Sequence, residues 1–284
     1  MTIDSLREFV AEIERAGELV RITHPVKTRL EIAEIADRVM KSPGGGPGLL
    51  FEHPVLDSGV KSPIPVGINL FGSIRRMQIA LGCERLDDIG GRISELLNLK
   101  VPEGLFGKLA MLPKLAEVAK FPPRVRGGRP ACQEVVWKGD DVDLGALPAL
   151  VTWPGDGGPY LTFPMVITED PARGIRNVGM YRVQVIGRKT VAMHWQRHKV
   201  GAAHWREMAE KGEKMSVVIA LGGDPASMYS ASAPLPPVID EFLFAGFLRA
   251  KPVDLARALT CDLEVPAEAD IVLEGYIDPS EPLV

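Results

Sequence analysis

Apolar positions recur at helical spacing through the first hundred residues. Leu6, Phe9, Val10 and Ile13 share one face of a segment running from Ser5 to Ala16, charges line the other face, and Gly17 follows as a stop. Glu31 to Met40 repeats the pattern. Short apolar runs at 19–22, 49–51 and 66–70 read as strands, and Ser42 to Gly48 as a glycine- and proline-rich loop. Helices are predicted over 74–81 and 86–99. This alternation predicts a small α/β domain over residues 1–118.

The pattern then changes. A helix candidate after residue 103 leads into a connector, Phe121 to Pro130. Beyond it, strands are predicted at 132–137, 161–168, 177–186, 190–195, 215–220 and 271–277, with helices at 203–211, 238–249 and 253–260. Many short strands interrupted by a few helices fit a mixed α+β barrel over 119–284 better than a doubly wound sheet. No Gly-x-Gly-x-x-Gly follows a strand and opens a helix, so a dinucleotide-binding site has no support.

Composition narrows the classes. A net charge of -4 argues against a general nucleic-acid binder, which needs surplus cations for phosphates. No run of eighteen apolar residues suggests an integral membrane segment, and the start lacks a signal-peptide pattern. Cys83, Cys132 and Cys261 are odd in number and far apart, as expected of reduced thiols in a cytoplasmic protein.

Candidate chemistry concentrates between 176 and 198. Val183, Val185, Ile186, Thr190 and Val191 predict a hairpin around Gly187-Arg188-Lys189. It carries Asn177, Tyr181, Arg182, His194, Gln196, Arg197 and His198, more ligand-capable groups than core-filling strands need. Asn177, His198 and Glu241 offer an amide oxygen, an imidazole and a carboxylate, suited to Mn2+ or Mg2+; by residue type and spacing alone, a capping Asn, a surface His and a helix-face Glu account for them more readily. Arg182 lies five residues from Asn177, so a regular strand would present the two on opposite faces. His194 and His204 could extend a zinc cluster with His198, but a strand does not group residues at that spacing; His204 more naturally begins a helix beneath the hairpin. The loops Trp153 to Gly158, Gly222 to Pro225 and Ser230 to Pro234 read either as pocket linings or as plain turns.

Taken in order, Gly67-Ile-Asn-Leu-Phe-Gly72, Asn177-Val-Gly-Met-Tyr-Arg182, Trp195-Gln-Arg-His198, Ala220-Leu-Gly-Gly-Asp-Pro-Ala226, Pro234-Leu-Pro-Pro237, Glu241-Phe-Leu-Phe-Ala-Gly246, Asp262-Leu-Glu-Val-Pro-Ala267 and Ile271-Val-Leu-Glu-Gly-Tyr276 span most of the chain. This ordered set resembles the UbiD family of decarboxylases, which includes 4-hydroxy-3-polyprenylbenzoate and ferulic acid decarboxylases. The resemblance implies an N-terminal α/β domain followed by a split β-barrel like that of flavin reductases. It implies prenylated FMN, provided by a flavin prenyltransferase and held partly through a divalent metal, usually manganese. Asn177, His198 and Glu241 match the metal-ligand positions. Met180, Tyr181 and Arg182, then His194, Trp195, Gln196, Lys199 and Val200, match cofactor-contacting stretches, although Val200 replaces a common Gly. Ser230, Ala231 and Ala233 fall in a loop whose carbonyls help bind K+.

The implied reaction is reversible decarboxylation of an aromatic or α,β-unsaturated acid, with Arg182 orienting the substrate carboxylate. Relatives follow Glu-Gly-Tyr with an acidic motif that supplies the proton donor; here Glu274-Gly275-Tyr276 runs to Val284 without it. The expectation is therefore an N-terminal portion lacking the C-terminal domain of a homo-oligomeric parent. The competing reading is a catalytically incomplete flavin- and metal-binding fragment or split-complex subunit. A flavin reductase using NAD(P)H is a third, with no nicotinamide signature behind it.

Overall fold

The computed structural model describes residues 2–97, 120–235 and 239–282. Helix α1 (Leu6–Arg15) opens where Ser5 Oγ accepts the Glu8 N–H, and it buries Phe9 and Ile13. Strand β1 (Leu19–Ile22) follows, then β2 (Val26–Lys27), α2 (Glu31–Met40), β3 (Gly48–Phe51), β4 (Pro54–Val55) and β5 (Val66–Ile68). β3 lies between β1, parallel to it, and β5, antiparallel. Helix α3 (Ile74–Leu81) is capped by Ser73 and ends on left-handed Gly82, and α4 (Leu86–Leu97) completes the first half. Ile32, Ala36 and Phe51 form one small core, while Phe9, Ile13, Leu70 and Ala80 form another. The helix candidate after 103 lies outside the described residues.

The second half contains β6 (Arg124–Val125), β7 (Tyr160–Leu161), β8 (Met165–Glu169), β9 (Arg176–Met180), β10 (Val183–Val185), β11 (Val191–Met193), helix α5 (Val200–Lys211), β12 (Met215–Leu221), α6 (Pro225–Ser230), α7 (Glu241–Arg249), β13 (Asp254–Arg257), β14 (Glu264–Pro266) and β15 (Ile271–Ile277). The predicted hairpin is present: Val183 pairs with Met193 and Val185 with Val191. One antiparallel sheet has the order β15-β12-β8-β9, a second β11-β10-β7, and a third β14-β13-β6. Met165, Ile167, Val178, Phe242 and Leu255 are buried together in the largest core cluster.

The expected split β-barrel is not formed. Each sheet stays open, with β15 and β9 unpaired to one another. The reason lies at the free edge of β9. Its Val178 N–H donates to Glu241 Oε2 at 2.9 Å, and its Met180 N–H donates to the Ala231 carbonyl at 2.9 Å. Helix ends occupy the hydrogen-bonding positions that a further strand would need. The chain then leaves the sheet at Tyr181-Arg182, and β10 pairs with β7 instead.

Two elements also differ from expectation. Residues 132–137 form no strand; a single 3-10 turn, Ala131–Gln133, precedes exposed Val135 and Trp137. Residues 253–260 are not helical. Their Ala and Leu content favours a helix, but Leu255 pairs with Pro266 and Val125, and Leu255 and Ala256 are buried in the sheet. Tertiary pairing overrides local propensity there. Among the described residues, no helix is long and apolar enough to cross a membrane.

One set of contacts between the halves lies on and beside α7. Arg92 donates to the Phe247 carbonyl at 2.9 Å and stacks on the Phe247 ring. Arg249, almost fully buried, pairs with Asp224 at 3.0 Å and with Asp4 from the chain start. Gly246 meets the connector so closely that a Cβ there would lie 2.5 Å from the Phe121 carbonyl oxygen. Gly246→Ala should therefore lower unfolding free energy by about 1–3 kcal/mol, against the ~1 kcal/mol that alanine gains in a free helix. Urea unfolding checks this; equal or greater stability in the variant would show that the connector is not seated on α7.

Candidate functional site

β9 carries Asn177 on the face opposite to Arg176 and Val178. Asn177 is buried, and its Nδ2 lies 3.5 Å from Thr168 Oγ1 on the neighbouring strand β8. Thr168 Oγ1 in turn lies 3.0 Å from Nδ1 of His204, which α5 buries beneath the sheet. Burial lowers the His204 pKa, which favours the neutral ring. The Asn177 amide nitrogen and the His204 ring therefore share the Thr168 hydroxyl. His204 is thus a support for Asn177, as the sequence reading of a helix beneath the hairpin anticipates, and α5 begins at Val200, three residues before its predicted start.

Glu241 is the first residue of α7. Asp240 caps that helix, its Oδ1 accepting from Phe242 N at 2.7 Å and Leu243 N at 3.3 Å. The other Asp240 oxygen accepts from Arg176 Nε at 3.1 Å and Nη2 at 2.5 Å. Arg176 also reaches Glu264 at 2.6 Å and stacks over Phe242 at 5.0 Å. This clamp joins β9 to α7 one residue before Asn177 and one residue before Glu241. Burial pushes the Glu241 carboxyl up to about 7, beyond what the Val178 N–H and Arg176 offset. Among the described residues, Glu241 has no ion pair.

The aromatic side of the site is assembled by a glycine. A Cβ on Gly179 would lie 2.3 Å from the Tyr181 ring, so only glycine lets Tyr181 fold back along β9. Tyr181 is buried, and its ring meets Trp195 edge-on at 6.0 Å. Gly201 packs against the Trp195 indole, where a Cβ would approach to 2.9 Å. Trp195 Nε1 is buried with no hydrogen-bond partner. An orphaned indole donor is costly and calls for an acceptor that the protein itself does not supply.

The remaining expected residues divide by location. Arg182 lies in the break between β9 and β10, so the odd spacing from Asn177 is resolved by a turn. Its Nη2 donates to His194 Nδ1 at 3.2 Å, and its guanidinium lies 4.6 Å over the Tyr160 ring. Met180 is exposed and bonded through its backbone to Ala231. Ser230 is buried with Oγ on the Ala226 carbonyl, and Ala233 N donates to the Ser230 carbonyl. Gln196, His198 and Lys199 are exposed in the turn before α5, while Val200 is half-buried as its first residue. Among the described residues, His198 has no hydrogen bond or ion pair to Asn177 or Glu241, and no three His, Cys, Asp or Glu side chains cluster in metal-binding geometry. Sequence reasoning missed Arg176, Thr168 and Asp240. Asp240 had a signal, an N-cap residue ahead of an apolar run; the other two had none.

The donor set fits the groups that the resemblance implies. The Glu241 carboxylate is buried without an ion pair and bonds the residue after Asn177, and Trp195 Nε1 has no hydrogen-bond partner, a donor chemistry that a divalent ion and a flavin would complete. In the metal-free protein Glu241 is neutral in the fold up to about pH 7 but ionises near 4.5 when unfolded. Its contribution to stability is present below pH 4.5 and is lost as pH rises through about 7, a loss on the order of 3 kcal/mol. Glu241→Gln should flatten the pH dependence of denaturant unfolding between pH 5 and 7, by about this much. An unchanged pH profile would mean that the carboxylate is solvated.

Residues 124–283 match the 3-octaprenyl-4-hydroxybenzoate carboxy-lyase Rift-related domain, and residues 10–93 match the N-terminal domain of the same carboxy-lyase. An uncharacterized protein of Aquifex aeolicus is 49% identical over 279 residues, covering 98% of this chain and 56% of the relative. Among solved structures, vanillic acid decarboxylase of Sedimentibacter hydroxybenzoicus in its closed form has a TM-score of 0.82 at 25% identity, covering 99% of this chain and 56% of that one. The UbiD-class enzyme HmfF from Pelotomaculum thermopropionicum, in complex with FMN, has a TM-score of 0.77 at 28% identity, covering 97% and 55%. The chain thus spans just over half the length of these relatives. With both halves matched in order and the carboxy-lyase domain covering more than half of its residues, the chain belongs to the UbiD family.

Proposed function

We propose that this chain is the flavin- and metal-binding portion of a prenylated-FMN-dependent carboxy-lyase, contributing one part of an active site rather than a complete one. The observation that carries the reading is the buried Glu241 carboxylate, without an ion pair and hydrogen-bonded to the strand residue that follows Asn177. A buried carboxylate at a functional site invites a counter-charge. The FMN of the HmfF complex supports a flavin as the partner of that charge.

In this reading Asn177 and Glu241 hold a divalent ion, Mn2+ or Mg2+, with His198 closing from the turn before α5. Trp195 Nε1, Gln196 and Lys199 supply donors toward the flavin and its phosphate. Met180, Tyr181, His194 and Val200 wall the same space, and Tyr181 keeps water from the Asn177 side. The Ser230 and Ala231 carbonyls each retain a lone pair for K+ after bonding Ala233 N and Met180 N. When bound, the prenylated flavin supplies an electron sink for loss of carbon dioxide. Arg182 stands exposed beside this space and binds the carboxylate of an aromatic or α,β-unsaturated acid. The vanillic acid decarboxylase likeness supports that substrate class. A flavin prenyltransferase supplies the cofactor, and the whole protein works as a homo-oligomer.

Co-expression with a flavin prenyltransferase, followed by an absorption spectrum and elemental analysis, tests the assignment. The purified chain is expected to retain flavin and manganese together, and Glu241→Gln to lower manganese retention at least about tenfold. Manganese content unchanged in the variant would remove Glu241 from the ligand set. In the whole protein, Arg182→Ala is expected to keep flavin but lose turnover on aromatic acids; retained turnover would reassign Arg182.

A further inference from the structure

The loop from Thr152 to Tyr160 holds a group that neither the family motifs nor the reading above assigns. Asp156 has a side chain only 10% exposed. Its Oδ2 accepts three hydrogen bonds from its own turn: Thr152 N at 3.1 Å, Thr152 Oγ1 at 2.9 Å and Trp153 N at 3.0 Å. These donors fix the carboxylate in one orientation. Its other oxygen, Oδ1, faces Arg182 Nη1 at 3.8 Å. That separation is too long for a hydrogen bond and well within Coulomb range.

The same short segment supplies the second restraint on Arg182. Four residues after Asp156, Tyr160 places its ring 4.6 Å beneath the guanidinium. Tyr160 is itself fixed, pairing with Gln184 in the sheet and donating its hydroxyl to Gln184 Oε1 at 3.1 Å. Gly157 lets the loop close over that amide, since a Cβ there would lie 3.1 Å from Gln184 Nε2. The third restraint comes from the hairpin. His194 N donates to the Arg182 carbonyl at 3.0 Å, and His194 Nδ1 accepts from Arg182 Nη2 at 3.2 Å. One flank of the guanidinium is held by His194, one face by Tyr160, and Nη1 by the field of Asp156. No direct hydrogen bond from Asp156 consumes a donor, so the fork stays available to an incoming carboxylate although the side chain is 43% exposed.

We propose that Asp156 is a positioning residue that aims Arg182 at the substrate carboxylate. The proposal rests on the carboxylate-binding role given above to Arg182. An exposed arginine otherwise samples many rotamers, and a fixed charge at its end removes most of them before substrate arrives.

Asp156→Asn is the discriminating variant, because an amide oxygen still accepts the Thr152 and Trp153 donors while the charge is lost. Arginine-selective 15N labelling of the flavin-free 284-residue chain, with Arg182→Lys to assign the signal, reads the guanidinium directly. The Arg182 Nε–H heteronuclear NOE is expected to be ordered in the natural sequence and to collapse toward that of a free surface arginine in Asp156→Asn. Thr152→Val removes one donor to Oδ2 but keeps the charge, and is expected to leave the Arg182 signal ordered. Equal order in Asp156→Asn, or loss of the folded spectrum in that variant, would overturn the proposal and leave Asp156 a loop-closing residue. In the flavin-loaded whole protein, Asp156→Asn should lower kcat about ten- to hundredfold without raising KM for an aromatic acid, since deleting a negative charge does not weaken carboxylate binding. A raised KM with kcat intact would also overturn it. Absence of turnover in the natural sequence would sink the carboxy-lyase reading, and the NMR comparison would still decide the role of Asp156.

Discussion

The geometry of the site depends on how the free edge of β9 is closed. An edge strand leaves alternate N–H groups without partners, and here the ends of two helices satisfy them. Glu241 takes the Val178 N–H, and the segment after α6 takes that of Met180. The Arg176–Asp240 pair fixes this arrangement. Asp240 caps α7 with one oxygen and grips Arg176 with the other, so the cap and the clamp are the same side chain. Both partners are largely buried, and such a pair adds little net stability over an apolar substitute but makes the loss of either partner expensive. Its consequence is positional: the strand that carries Asn177 is held against the helix end that carries Glu241.

Around that point the structure alternates satisfied and unsatisfied polar groups. Asn177, Thr168 and His204 form a buried polar chain through the Thr168 hydroxyl. Glu241 is desolvated without a cation, and Trp195 Nε1 is desolvated without an acceptor. Polar atoms of this kind are rare in protein interiors because each costs on the order of 1–3 kcal/mol, and their convergence marks where another group completes the fold. Arg182 lies just outside, held on three sides yet exposed, which suits a group that meets its partner only on binding.

The open sheets follow from the same constraint. A barrel would need β9 to pair onward, but its edge is already spent on α6 and α7. The chain diverts at Tyr181, which folds back only because Gly179 has no side chain. One glycine thus ends the strand, buries the tyrosine against Asn177 and releases Arg182 from the sheet.

Local pattern determined much of this. Amphipathic periodicity located α1, α2 and α3 nearly to the residue, because their packing faces are written in the spacing of Phe9, Ile13, Ile32 and Ala80. Alternating β-branched residues located the hairpin, and an ordered set of motifs located the family. Within the short region 176–198 the sequence crowds chemically versatile side chains, while the pairing of Glu241 with Asn177 gains its weight only from the family resemblance. Tertiary structure alone decided the rest. The 254–257 segment is a strand because Pro266 and Val125 flank Leu255, against its own helical preference. The barrel stays open because helix ends distant in sequence close the edge of β9, Glu241 lying 63 residues from the Val178 it binds. Arg176 with Asp240, Thr168 with His204, and Asp156 with Arg182 are pairings across 64, 36 and 26 residues, the last being 182 less 156. No local periodicity encodes such distances; they exist only once packing has brought the strands and helix ends together.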